Sequence, residues 1–65
     1  MKLWIARDKD GSLWLYNAKP DKNSIMFTSV LLSNEEWSEE YPLDDNLFPE
    51  VTFENSPREV EIKLI

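Results

Sequence analysis

Two four-residue apolar runs, Leu3-Trp4-Ile5-Ala6 and Leu13-Trp14-Leu15-Tyr16, flank a polar stretch in the first seventeen residues, a pattern that reads as a β-hairpin whose two faces differ in chemistry. A three-residue loop, Lys9-Asp10-Gly11, with Gly11 in the left-handed position, pairs Asp8 with Ser12. That register sets Arg7 opposite Leu13, Ala6 opposite Trp14, Ile5 opposite Leu15 and Trp4 opposite Tyr16. Side chains alternate with period two, so one face collects Leu3, Ile5, Leu13 and Leu15, the other Trp4, Ala6, Trp14 and Tyr16. The aliphatic face is core material. The aromatic face is either a second core or a docking surface.

Pro20 stops the second strand near Asn17 or Ala18, because it lacks an amide hydrogen and restricts Lys19. Ser24 to Leu32 is almost continuously apolar and predicts a central strand covered on both faces, or a buried helix. Ser33-Asn34-Glu35-Glu36 has capping-box spacing and predicts a helical turn that Pro42 keeps short. Asp44 or Asp45 would cap another through Asn46-Leu47-Phe48, ended by Pro49. Val51-Thr52-Phe53 is β-prone and Asn55-Ser56-Pro57 is a turn. From Arg58 to Ile65, Val60, Ile62 and Leu64 alternate with Glu59, Glu61 and Lys63, the pattern of a strand with one buried face.

These elements predict a mainly β fold: an antiparallel sheet of about four strands, with one or two short helical turns before the last strand. The alternative is an α+β fold with a helix across residues 33–48. The expected core is Leu3, Ile5, Leu13, Leu15, Ile25, Phe27, Phe53, Val60, Ile62 and Leu64. With 65 residues the chain is expected to form one small domain, close to the lower size limit for independent folding. Neither cysteine nor histidine is present, so disulfides, thiolate metal sites and the commonest general base are excluded. Eight aromatic residues supply the large buried areas such a chain needs.

No apolar run approaches the roughly 20 residues that span a bilayer, and Leu3-Trp4-Ile5-Ala6 is too short for a signal peptide. A cytoplasmic protein is expected. The net charge of −6 is divided unevenly. Residues 1–32 hold five bases and three acids, residues 33–65 two bases and ten acids. The acidic half disfavours nucleic acid and anionic membrane and favours a basic partner.

The opening Met1-Lys2-Leu3-Trp4-Ile5-Ala6-Arg7-Asp8-Lys9-Asp10-Gly11-Ser12-Leu13 and the later Leu47-Phe48-Pro49-Glu50-Val51-Thr52-Phe53-Glu54-Asn55-Ser56-Pro57 resemble a group of short uncharacterised proteins. That group is encoded by gut Bacteroides-type bacteria, often within phage-related regions. The resemblance implies a bacterial or phage context and carries no activity, cofactor or catalytic residue with it. The acidic middle looks like its variable part.

Asp8-Lys9-Asp10-Gly11-Ser12 looks like the start of a calcium loop, but the twelfth position, where a bidentate Glu belongs, is Lys19. Hairpin chemistry accounts for these residues better. Glu35, Glu36, Glu39, Glu40, Asp44 and Asp45 form an acidic surface that would hold a hard cation, imitate the phosphates of DNA, or simply be solvated. No nucleophile–base spacing and no glycine-rich phosphate loop exists, so no enzyme and no cofactor is expected. Trp4, Trp14 and Tyr16 are the candidate partner-binding surface. Read as a stacking platform they would bind single-stranded nucleic acid, but the charge opposes it. Their packing partners within the chain would be Trp37, Tyr41, Leu47 and Phe48.

The function expected is a non-enzymatic protein-interaction module, a phage-linked accessory binding a host or phage protein. An acidic nucleic-acid mimic is the first alternative and a single-strand binder the second. The partner would be a protein rather than nucleic acid or membrane, and the chain a monomer or a weak homodimer through an edge strand.

Overall fold

The computed structural model describes residues 2–33 and 36–61. The hairpin forms in the expected register. Strand β1 (Lys2–Arg7) pairs antiparallel with β2 (Leu13–Tyr16), with Trp4 opposite Tyr16, Ile5 opposite Leu15 and Ala6 opposite Trp14. The Asp8 N–H donates to the Ser12 carbonyl (2.8 Å) and the Gly11 N–H to the Asp8 carbonyl (2.9 Å). Gly11 takes φ 97°, which a side chain would resist although space for one is open.

Two short strands extend the hairpin on both sides. The last segment supplies β6 (Arg58–Glu61), antiparallel to β1 with Leu3 opposite Val60. Strand β5 (Glu40–Leu43) runs antiparallel to β2, with Leu15 opposite Tyr41 and Leu13 opposite Leu43. The sheet order is β5-β2-β1-β6. A second, two-stranded sheet joins β3 (Asp21–Lys22) to β4 (Phe27–Thr28).

The two hairpin faces carry two separate clusters. On the aliphatic face, Ile5 and Leu13 bury against Val51, flanked by Leu15, Leu43 and Val60. On the aromatic face, Ala6 and Tyr16 bury against Phe27, with Trp4, Trp14 and Phe53 packed around them. Phe27 and Phe53 therefore belong to the aromatic cluster and meet edge-on, ring centroids 5.8 Å apart. Ile62 and Leu64, the remaining expected core residues of the last strand, lie outside the described residues.

The acidic middle departs from the sequence pattern. Ser24 to Leu32 is not a central strand: Asn23 Oδ1 accepts the N–H groups of both Ile25 and Met26, and the chain turns there. Ile25 is consequently exposed rather than core. No helix forms among the described residues, so neither the short helical turns nor the α+β alternative is seen. Leu32 N–H donates to the Glu36 carbonyl and Leu31 bridges Trp37 antiparallel, the reverse polarity of helical bonding. At the second expected turn, Asp44 does cap, its Oδ1 accepting the Asn46 N–H. The chain then bends at Phe48 (φ 48°) instead of winding on. Val51-Thr52-Phe53 runs into a turn, with Val51 inserted in the core.

Candidate interaction surface

Of the three rings expected to meet a partner, Tyr16 is only 1% exposed, and Trp4 and Trp14 are half-buried. Their cover comes from Phe27 and Phe53, while Trp37, Tyr41, Leu47 and Phe48 all remain exposed. Burial pushes the Tyr16 hydroxyl pKa far up, helped by the charges of Glu40 and Asp8. Cations close the cluster's margin. Lys19 Nζ lies 5.7 Å from the Trp4 ring, and Lys22 Nζ lies 4.5 Å from the Phe53 ring while donating to the Phe53 carbonyl (2.8 Å).

The carboxylates beside Gly11 work within the hairpin. Asp8 Oδ1 accepts the Phe27 N–H (2.9 Å), tying β4 to the hairpin tip, and Asp10 Oδ1 accepts the Ser12 N–H (2.9 Å). Burial raises the Asp8 pKa, against the opposing effect of the Phe27 N–H; the Ser12 backbone N–H and hydroxyl lower that of Asp10. An open cleft of about 370 Å³ lies beside them, walled by Asp8, Lys9, Asp10, Ile25 and Met26. Among the described residues no three Asp or Glu side chains gather where a metal ion would be held.

Arg7 is the residue that the sequence pattern passed over. It stands on the aliphatic face opposite Leu13, where an apolar side chain is expected. Its guanidinium instead donates to five backbone carbonyls. Nε reaches Val51 (2.6 Å), Nη1 reaches Gly11 (2.7 Å) and Asp45 (3.0 Å), and Nη2 reaches Leu47 (2.9 Å) and Phe48 (3.2 Å). The planar fork, with its five N–H directions, matches this converging set as an ammonium would not. Its targets on Asp45, Leu47 and Phe48 are carbonyls that a lone turn leaves without a partner, so the guanidinium completes a turn already closed by the Leu47 N–H on the Asp44 carbonyl. The outcome is a loop fixed through its backbone, with Leu47 and Phe48 directed to solvent at 46% and 43% exposure.

Seven large apolar side chains are exposed among the described residues, and all lie between Ile25 and Phe48. Trp37 is the most exposed of them at 65%, beside Leu31. The acids are dispersed. Glu39 and Glu40 stand at one end of β5, Asp44 and Asp45 just past the other, roughly 13 Å along the strand at about 3.3 Å per residue. Asp45 Oδ1 accepts the Leu13 N–H, Tyr41 donates to the Glu39 carboxylate, and Glu35 lies outside the described residues.

Among the described residues, both outer strands of the sheet carry groups that blunt an edge. The Asp8–Ser12 bond sets the hairpin phase, so Leu13 and Leu15 turn their backbone groups to β5, and Glu40 and Pro42 turn theirs outward. Pro42 offers no N–H there. By the same phase Glu59 and Glu61 face outward on β6, so two copies joined at that edge would oppose like charges. No helix among the described residues is long and apolar enough to cross a membrane. Compared with known proteins, the chain matches no family model, and neither a curated protein nor a solved structure shows significant similarity to it.

Proposed function

We propose that this chain is a non-enzymatic protein-interaction module that works as a monomer, in keeping with a phage-linked accessory role. The observation that carries the reading is the segregation of exposed apolar side chains into residues 25–48. A domain this small needs every large side chain it can bury, yet among the described residues seven stay outside its clusters. Exposed apolar patches rimmed by polar residues mark interaction sites, and large side chains buried at the centre of such contacts carry most of the binding energy.

Two observations weigh against the nucleic-acid readings. The mimic needs a continuous acidic stripe, and β5 separates the acids into two groups, of which Asp44 caps its own loop and Asp45 accepts the Leu13 N–H. The single-strand binder needs free rings and free cations. Tyr16 is buried, and Lys19, Lys22 and Arg7 lie on rings or carbonyls of the chain itself.

The test is retention of protein by a tagged chain at about 0.15 M salt, where exposed charges are screened within about 8 Å. Nuclease treatment precedes it, and a Leu31→Ser, Trp37→Ser, Phe48→Asn triple variant of matched stability runs in parallel. A protein retained by the parent chain and lost from the variant supports the reading. Equal retention by both, or retention of nucleic acid instead, overturns it.

A further inference from the structure

The interaction reading leaves three exposed apolar pairs in competition: Ile25 with Met26, Leu31 with Trp37, and Leu47 with Phe48. Resting on that reading, we infer that Leu47 and Phe48 are the anchor, and that they dock into an apolar groove rimmed by lysine and arginine on a protein partner.

Ile25 and Met26 have a fixed backbone, both N–H groups donating to Asn23 Oδ1 and both carbonyls accepting the Lys9 and Asn23 N–H groups, but they carry no ring. Leu47 and Phe48 combine a fixed backbone with an aromatic side chain. Four carbonyls of the 45–51 segment are gripped by the one Arg7 guanidinium. The same loop is closed by Leu47 N–H on the Asp44 carbonyl (3.0 Å), Val51 N–H on the Phe48 carbonyl (2.9 Å) and Asn46 N–H on Asp44 Oδ1 (2.8 Å). Val51 roots its far end in the aliphatic cluster. Phe48 is thereby kept at φ 48°, a region a bulky residue seldom occupies. A contact whose backbone is already ordered avoids most of the ordering cost of association, and an aromatic ring adds large contact area with few torsions.

None of that effort is needed by the fold for the two side chains themselves. Leu47 and Phe48 belong to neither cluster. The loop ties down its main chain and leaves its two largest side chains uncovered.

Charge selects the partner. Asp44 and Asp45 precede the pair, Glu50 follows it, all three are exposed, and no Lys or Arg occurs between residues 44 and 57. Arg7, which reaches into this loop, is occupied by the loop's carbonyls. An apolar tip with an acidic collar fits an apolar groove with a basic rim, and repels anionic surfaces.

The experiment places the photoreactive residue p-benzoylphenylalanine at position 48, and separately at position 37, in cells producing the chain. The crosslinked protein is identified, purified and titrated against the parent chain and three variants. Phe48→Asn deletes the ring while keeping a residue that tolerates positive φ, so the loop is retained. It is expected to weaken binding about 30-fold or more, as loss of a central anchor does. Trp37→Ser should bind as the parent does. Glu50→Lys should slow association at low salt, with the difference shrinking as salt rises. Unfolding curves of the three variants that coincide with the parent's show that the surface, not the fold, has changed. Loss of binding in Trp37→Ser with Phe48→Asn unaffected would overturn the anchor and leave the interaction reading standing. Absence of a protein adduct from both positions, or adducts with nucleic acid, would overturn both.

Discussion

Trp4 and Trp14 sit half-buried in the aromatic face of the hairpin, while Trp37 stands 65% exposed in an isolated bridge with Leu31. The contrast holds for the regions around them. Residues 2–16 bury side chains on both faces of a hairpin whose shape follows from period-two alternation and one glycine. Residues 25–48 contain residues just as apolar but spread over turns, and single polar groups fix their course. Asn23 turns one end, Ser38 Oγ accepts the Val30 N–H in the middle, and Asp44 and Arg7 shape the other end. Hydrophobicity alone does not put a side chain inside; a backbone that presents it to a neighbour does.

The contrast can be broken most forcefully at Leu13, which is 1% exposed in the aliphatic cluster. Leu13→Ala is expected to cost about 2–5 kcal/mol, enough to unfold most of the population of a domain this small, read from urea unfolding. A mild loss would mean the hairpin is less central than its burial implies. Arg7→Ala comes next. It strips charge-assisted bonds from five carbonyls, several of them open to water, so roughly 2–3 kcal/mol is expected. Arg7→Lys should recover only part of this, since a point charge cannot replace the fork. Full recovery would show that charge, not geometry, holds the loop.

Smaller at neutral pH is Tyr16→Phe, which loses a long 3.4 Å bond to the Phe27 carbonyl. Its informative range is alkaline. The folded-state pKa of Tyr16 lies above the ordinary value of 10.0, so the unfolded chain releases that proton first as pH rises. Stability from this group is complete below pH 10.0 and is lost above it, on the way to the folded pKa. Unfolding curves measured between pH 9 and 11 should therefore decline more steeply for the parent than for Tyr16→Phe; equal slopes would place Tyr16 in water. Smallest of all is Trp37→Ser, expected within about 0.5 kcal/mol of the parent because an exposed side chain contributes little. A large loss there would erase the distinction between the two regions.

What could be read from the sequence follows the same division. The register, the positive φ of Gly11, the two faces and the pairing of the last segment with the sheet are all consequences of alternation plus one turn. Alternation carried no information about Glu40–Leu43, because Pro42 and the acids hid an edge strand, one in which proline is tolerated when its missing N–H faces outward. It misled over Ser24 to Leu32, where Asn23 overrode an apolar run. The expected surface of Trp4, Trp14 and Tyr16 was a correct reading of a face, but which segment covers a face is a long-range matter. Phe27 and Phe53 cover it, from two different parts of the chain. The one available hint of the other surface was Arg7 itself, a charge at an aliphatic-face position that required a polar partner elsewhere.

Arg7 also bears on the order in which the molecule assembles. Four of its bonds join residues 38 to 44 positions apart, whereas the hairpin closes over a three-residue loop. Closing the long segment costs more chain entropy than closing the short one, and its bonds reward the chain only once both ends are in place. The guanidinium is therefore a late fastening. Its removal should raise the unfolding rate several-fold and leave the refolding rate nearly untouched, a partition that stopped-flow measurements on Arg7→Ala and Leu13→Ala can compare directly. The residue that shapes the exposed tip would then govern how long the folded chain lasts more than how quickly it forms.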